Sequence, residues 1–375
     1  MLKRFAVEKF KAFSGRLEFD LGSPSNYSFN PEVINTTEGI VSKALIYGFN
    51  GCGKSVLGLG LLDIITHLTD RYRAEKDYIP YLNLDISPKS SALFEYEFRF
   101  AGSTLLYVYR KAGFNVLLEE SLFIDEHEVI RYDYLNDIGE VKLAGAETLK
   151  LTSASHQSHQ ISRVKYVSSN TILAPTHENY VFMEFMKFVE NMLMFYSLDM
   201  NRYMGFRNGA EKVDAAIINA DRVADFEKFL RDAKIDMQLE AGEHNGEKEL
   251  LVKYGNNSRV SFYTIASTGT KSLALFYYWY MQMEKASFVY MDEFDAFYHF
   301  ELAESIVEKL KEFTRTQIIM TTHNTDLLSN ELLRPDCYYW LNNGIIKPMN
   351  ELTGRELRQA HNLQKMYKAG AFNGR

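Results

Sequence analysis

Two cysteines in 375 residues, Cys52 and Cys337, are too few for a disulfide framework. That usage fits a reducing compartment. The opening residues Met1-Leu2-Lys3-Arg4-Phe5-Ala6-Val7-Glu8 lack the apolar core that a secretory leader needs. No run of about 18 uncharged apolar residues occurs. The nearest, Tyr180 to Met194, is interrupted by Glu184, Lys187 and Glu190. A soluble, cytoplasmic protein with no membrane partner is the expectation. Basic excess is missing too. The formal net charge is −7, so the chain is no nucleic-acid coat, and any DNA contact needs a local basic patch. Internal repeats and a heptad arm of coiled-coil length are also absent.

What is present is concentrated in a few stretches. Gly48-Phe49-Asn50-Gly51-Cys52-Gly53-Lys54-Ser55 fits G-x-x-x-x-G-K-[ST]. Glycines at this spacing let backbone N–H groups turn inward around phosphates. A lysine there reaches the β- and γ-phosphates, and the hydroxyl after it holds Mg²⁺. The flanks agree: Ala44 to Tyr47 reads as a short buried strand and Ser55 to Leu62 as the start of a helix. The free N–H groups at a helix start favour phosphate as well.

A soft prior of roughly 150 residues per domain leaves two domains, or one α/β domain with an insertion. Residues 1–20 read as paired strands and 21–40 as a loop. The helix after the phosphate loop is expected to fade near Tyr72. Phe94 to Phe100 alternates strictly, as a strand with one wet face does. Leu105–Arg110, Val116–Glu120 and Glu128–Tyr134 continue it as an antiparallel meander beside the main sheet. Phe182, Phe185, Val189, Met192 and Tyr196 recur at helical spacing, which predicts one amphipathic helix through Tyr196. Asp225–Lys234 reads as a further helix, and Asp236–Glu240 with Leu250–Tyr254 as a hairpin. His156-Gln157-Ser158-His159-Gln160 reads as a polar loop rather than a metal site, having no third ligand nearby.

Ser287 to Glu293 is an apolar strand ending in two carboxylates. There Asp292 can hold Mg²⁺ through water and Glu293 can act as general base. Asp295 follows, then a predicted helix over Phe300–Phe313. Gln317 to His323 is another apolar strand, and a histidine at a strand's carboxyl end lies on the ligand side of an α/β sheet. Ser267-Thr268-Gly269-Thr270 precedes an apolar helix, and such a start is again an anion site.

This order of elements resembles the ABC-type P-loop ATPase heads, and more closely their SMC-like and OLD-like branch. The resemblance covers residues 1–135 and 260–375. It implies an α/β head, a mixed sheet with flanking helices plus an antiparallel meander, binding ATP and Mg²⁺. Two parts at 1–140 and 259–375 would be split by a mainly helical insertion with a hairpin at 141–258. The phosphate loop, from Gly48, Asn50, Gly51, Cys52 and Gly53 to Lys54, would bind nucleotide, with Ser55 and Asp292 at the metal. Glu293 would be the base and His323 the switch histidine. Ser267, Gly269 and Thr270 would bind the γ-phosphate held by a second copy, so ATP would join subunits. Asp295 falls in the D-loop; His299 stands where SMC-like heads usually carry Asp. Glu8-Lys9-Phe10-Lys11-Ala12-Phe13 resembles the first strand of such heads, with Lys11 toward the nucleotide. The Q-loop glutamine stays open among Gln157, Gln160 and Gln238.

The ending, Leu352 to Arg358 and then Asn362 to Gly374, resembles the tail of a bacterial group that includes RloA-like and AriA-like ATPases of anti-phage defence. Members typically sit beside an effector. The resemblance therefore implies a regulatory ATPase with a separate nuclease or toxin, and a DNA or phage-protein trigger. The competing reading is a DNA-repair clamp, which lacks a coiled-coil arm here. A transporter subunit would carry L-S-G-G-Q. A P-loop kinase would leave Ser267, Asp292-Glu293 and His323 unexplained. The stretch after His323 is at the low end of the roughly 50–200 residues of a domain, so no intrinsic nuclease is expected.

Overall fold

The structure, a computed structural model, describes residues 1–70, 75–87, 90–151, 161–196, 212–243, 246–296 and 298–372, and 202–205 and 244 by backbone. Two seven-stranded sheets make up its frame. The first is antiparallel, in the order Ile138–Val141, His127–Asp133, Val116–Ile124, Ser103–Gly113, Ala92–Phe100, Leu2–Glu8, Leu17–Asp20. The meander and the opening strand pair therefore form one sheet. Ala92–Phe100 alternates between buried and half-buried along its whole length. Its inward Phe98 meets Phe185 and Phe188 of the helix His177–Glu190, with ring centroids 5.3 Å apart in each pair. Its outward Glu95 and Glu97 pair with Arg16 and with Lys3 and Arg4.

The second sheet runs Arg202–Gly205, Met192–Tyr196, Phe288–Asp292, Gln317–Thr321, Lys43–Tyr47, Tyr338–Asn342, Ile345–Pro348. The five inner strands are parallel and the two edges antiparallel. Four of the inner strands are buried at every residue. Burial on both faces produces continuous apolar runs instead of alternation. That corrects one expectation. The amphipathic helix ends at Glu190, and Met192 to Tyr196 is a core strand beside Phe288–Asp292. Periodicity cannot separate a short buried strand from a buried helix turn. Among the described residues, 141–258 hold four helices and the hairpin Gln238–His244/Glu247–Lys253, and they lend two strands, Met192–Tyr196 and Arg202–Gly205, to the main sheet.

Two polar devices fix the frame. Gln317, fully buried, donates from Nε2 to the carbonyls of Leu2 and Val41 (2.9 Å each) and accepts from Leu2 N (3.0 Å), pinning the two sheets together. Asp63, last residue of the helix Lys54–Asp63, accepts from Lys111 (2.9 Å), Tyr109 (2.8 Å) and Tyr81 (3.0 Å). Both charges are buried. Removing one partner of a buried pair strands the other in low dielectric. Lys111→Ala is therefore expected to destabilise the fold by about 3–5 kcal/mol. Chemical denaturation measures this, and a loss under about 1 kcal/mol, the range of an exposed pair, would contradict it.

Candidate active site

Three parallel strands lie side by side and end at one edge: Lys43–Tyr47, Gln317–Thr321 and Phe288–Asp292. The phosphate loop leaves the first, His323 follows the second, and Asp292-Glu293 close the third. Chain direction and strand order alone bring these distant residues together, as the carboxyl-end rule for open α/β sheets requires.

Within the loop, Gly51 (φ 78°) and Gly53 (φ 104°) take left-handed conformations that L side chains rarely adopt. A Cβ on Gly53 would also lie 2.9 Å from the Phe13 ring, so Phe13 packs down on the loop. The helix Lys54–Asp63 starts without a side-chain cap. Its free N–H groups and the glycine turns make a cradle that fits phosphate. Tyr290 fixes the depth of this helix. Its hydroxyl donates to the Lys54 carbonyl at 2.6 Å, and its ring sits where a Cβ on Gly58 would fall (2.5 Å).

Lys54 Nζ lies 3.1 Å from the Gly48 carbonyl, 2.7 Å from His323 Nε2 and 3.4 Å from Glu293 Oε1. His323 Nε2 is 3.1 Å from the same Glu293 oxygen. The ring nitrogen serves one neighbour at a time: unprotonated it accepts from Lys54, protonated it donates to Glu293. Side-chain exposure rises from 5% at Lys54 through 16% at Glu293 to 41% at His323, so the histidine is the member facing solvent.

Burial pushes the Asp292 carboxyl above the usual carboxylate range, opposed by hydrogen bonds from Ser55 and Thr321 that favour its ionised form. Ser55 and Asp292 are thus neighbours, as two residues that would share a metal must be. Asp295 is raised by burial too, with Thr322 donating to it at 2.8 Å. Burial raises the Cys52 thiol, so this loop cysteine is no thiolate. Asn50 is exposed.

Other expected residues have partners outside this cluster or lie exposed. Ser267 is exposed and caps the helix Thr268–Tyr280, accepting from Thr270 N at 3.1 Å. That helix packs on Val213–Asn219 and Val223–Asp232. Gly269 and Thr270 lie in its first turn. Lys11 does not turn to the loop: its ammonium donates to the Asp77 and Pro80 carbonyls, 3.2 Å each. Gln238 lies exposed on the hairpin of the three-stranded sheet. Gln157, Gln160 and the polar loop around His156 and His159 lie outside the described residues. Of the basic tail, Arg358 pairs with Glu356 (3.3 Å), and Arg375 lies outside the described residues. Reading the sequence missed Thr321, Thr322 and Tyr290. Two hydroxyls closing an otherwise apolar strand, just before His323, were the available signal.

The profile of the family described as "AAA domain, putative AbiEii toxin, Type IV TA system" matches residues 43–329, from the loop strand to just past His323. The chain belongs to this family. It is a P-loop ATPase, with the mixed α/β fold of an ATPase head. An ATPase of this kind binds ATP, typically with Mg²⁺, and the cradle, Ser55 and Asp292 have the chemistry to hold both. No curated protein matches the chain. Among solved structures, the SMC head domain from Thermotoga maritima aligns at TM-score 0.43 and 17% identity, covering 92% of this chain and 97% of that one. An SmcHead bound to the C-terminal winged-helix domain of ScpA aligns at 0.44 and 12%, covering 92% and 96%. At this similarity the backbone traces diverge widely, and the fold rests on the strand order itself. Among the described residues no helix is long and apolar enough to cross a membrane.

Proposed function

We propose that this ATPase closes on ATP against a second copy of itself and acts as a sensor or regulatory scaffold in bacterial anti-phage defence, controlling a separate nuclease or toxin. The observation that carries the reading is a half-built site. Lys54, Asp292, Glu293 and His323 gather at one sheet edge with the histidine toward solvent, while Ser267 is exposed and bonds to Thr270 of its own helix start. A second copy offering its Ser267, Gly269 and Thr270 would complete the γ-phosphate's surroundings, with Asp295 near the joint. Glu293 would take the proton from the attacking water, and His323 would register the γ-phosphate. The family's description, with its toxin and toxin–antitoxin wording, supports placement in a defence system, as does the tail resemblance.

Ser267→Arg tests it. An arginine at this exposed cap would leave each subunit folded and able to bind ATP. It is expected to abolish ATP-dependent association in sedimentation velocity and to remove protection when the native locus is challenged with phage. An unchanged ATP-induced shift would refute the second-copy reading. Association lost with protection intact would refute the coupling of closure to defence.

A further inference from the structure

We propose that Thr321 is a positioning residue for ATP hydrolysis, setting Asp292 and Glu293 as one unit; the proposal rests on the reading of those carboxylates as metal holder and base. Thr321 ends the strand Gln317–Thr321 and is fully buried. A buried hydroxyl costs free energy unless it is hydrogen-bonded. This one has both capacities filled. It donates to Asp292 Oδ1 at 2.9 Å and accepts from Glu293 N at 2.8 Å. The Thr321 carbonyl then accepts from Phe294 N at 3.1 Å. One residue therefore holds the carboxylate and both N–H groups where the neighbouring strand breaks off.

The break is unusual backbone. Glu293 has φ 49°, left-handed for a residue with a Cβ, and such conformations persist only when the surroundings over-determine them. The turn aims two consecutive carboxylates at different partners: Asp292 toward Ser55, Glu293 toward Lys54 and His323. Without the Thr321 hydroxyl, Glu293 N loses its partner and Asp292 is held from the Ser55 side alone. The next two side chains extend the pattern, Thr322 holding Asp295 and His323 meeting Glu293. Three successive residues of one strand end thus each take one carboxylate of the Asp292–Asp295 segment. A purely structural threonine would need only one such bond to satisfy its hydroxyl.

Thr321→Val keeps the shape and removes the hydroxyl; Thr321→Ser keeps the hydroxyl and removes the methyl. In Thr321→Val, kcat is expected to fall on the order of 10²-fold, as misplacing reacting groups by about 1 Å does. Affinity for a fluorescent ADP in EDTA should stay as in the native protein, while the gain in that affinity on adding Mg²⁺ should disappear. Thr321→Ser should restore both kcat and the Mg²⁺ gain. Native kcat and native Mg²⁺ response in Thr321→Val would overturn the proposal, as would Thr321→Ser failing as Val does. If Val unfolds at assay temperature, Ser against Ala asks the same question, since both lack the methyl and only Ser keeps the hydroxyl. Equal kcat in those two would overturn it. Asp292→Asn and Glu293→Gln separate the two levels. If both lose hydrolysis while Thr321→Val does not, only the role of Thr321 falls. If neither loses hydrolysis, the reading of the carboxylates fails first.

Discussion

Glu293→Gln is expected to bind ATP normally and to hydrolyse it about 10²–10⁴-fold more slowly, the range for removing a positioned acid–base group. The amide keeps the shape of the side chain but cannot take a proton from water at neutral pH. Binding should not suffer. In this structure the Glu293 carboxylate lies 3.4 Å from Lys54 Nζ and so competes with phosphate for the loop cation. Removing its charge leaves Lys54 freer to meet nucleotide. Calorimetry with ATP and single-turnover hydrolysis measure the two halves separately. Near-native turnover would remove Glu293 from the role of base. Weakened binding with normal chemistry would instead make it a contact residue.

The second large effect is at Lys54. Lys54→Ala should lower ATP affinity by at least about 30-fold, the lower end of the 2–5 kcal/mol seen when one partner of a buried, hydrogen-bonded charge pair is truncated. The side chain is buried with its ammonium at the mouth of the glycine cradle, so no solvent cation takes its place. A second consequence follows from the cluster. Without Lys54, the Glu293 carboxylate loses the cation 3.4 Å away and faces the cradle unneutralised, where it repels the nucleotide's phosphates. Unchanged ATP affinity by calorimetry would refute the assignment of Gly48–Ser55 as the nucleotide's phosphate site. Circular dichroism shows whether the variant keeps its fold, which it should, since Lys54 makes no contact that joins the two sheets.

Much of the site was legible because its chemistry is local. A glycine loop before a lysine, two carboxylates closing an apolar run and a histidine closing another are each readable within about eight residues. The alternation of Phe94 to Phe100 was equally readable, since one wet face writes itself into a strand at period two. Lys11 misled because a basic residue in a motif carries no direction: its backbone is left-handed at φ 47°, and the ammonium ends on the carbonyls of a neighbouring loop. Met192 to Tyr196 misled for a different reason. A strand covered on both faces loses the alternation that identifies it, and its first residues fell into step with the helix before it.

The sequence by itself determined that a glycine loop before Lys54, a carboxylate pair closing one apolar strand and a histidine closing another exist in this chain, because loop conformation and side-chain chemistry depend on residue type and near neighbours. Only the tertiary structure decided that they meet. Parallel pairing of Gln317–Thr321 with Lys43–Tyr47 on one side and with Phe288–Asp292 on the other sets Lys54, Glu293 and His323 within 3.4 Å of one another. The same pairing turns Thr321, unremarked in the sequence, into the residue that touches both Asp292 and the backbone of Glu293. A hydroxyl's partners are fixed by which strand lies beside it, and long-range strand order is the one property that local pattern does not encode.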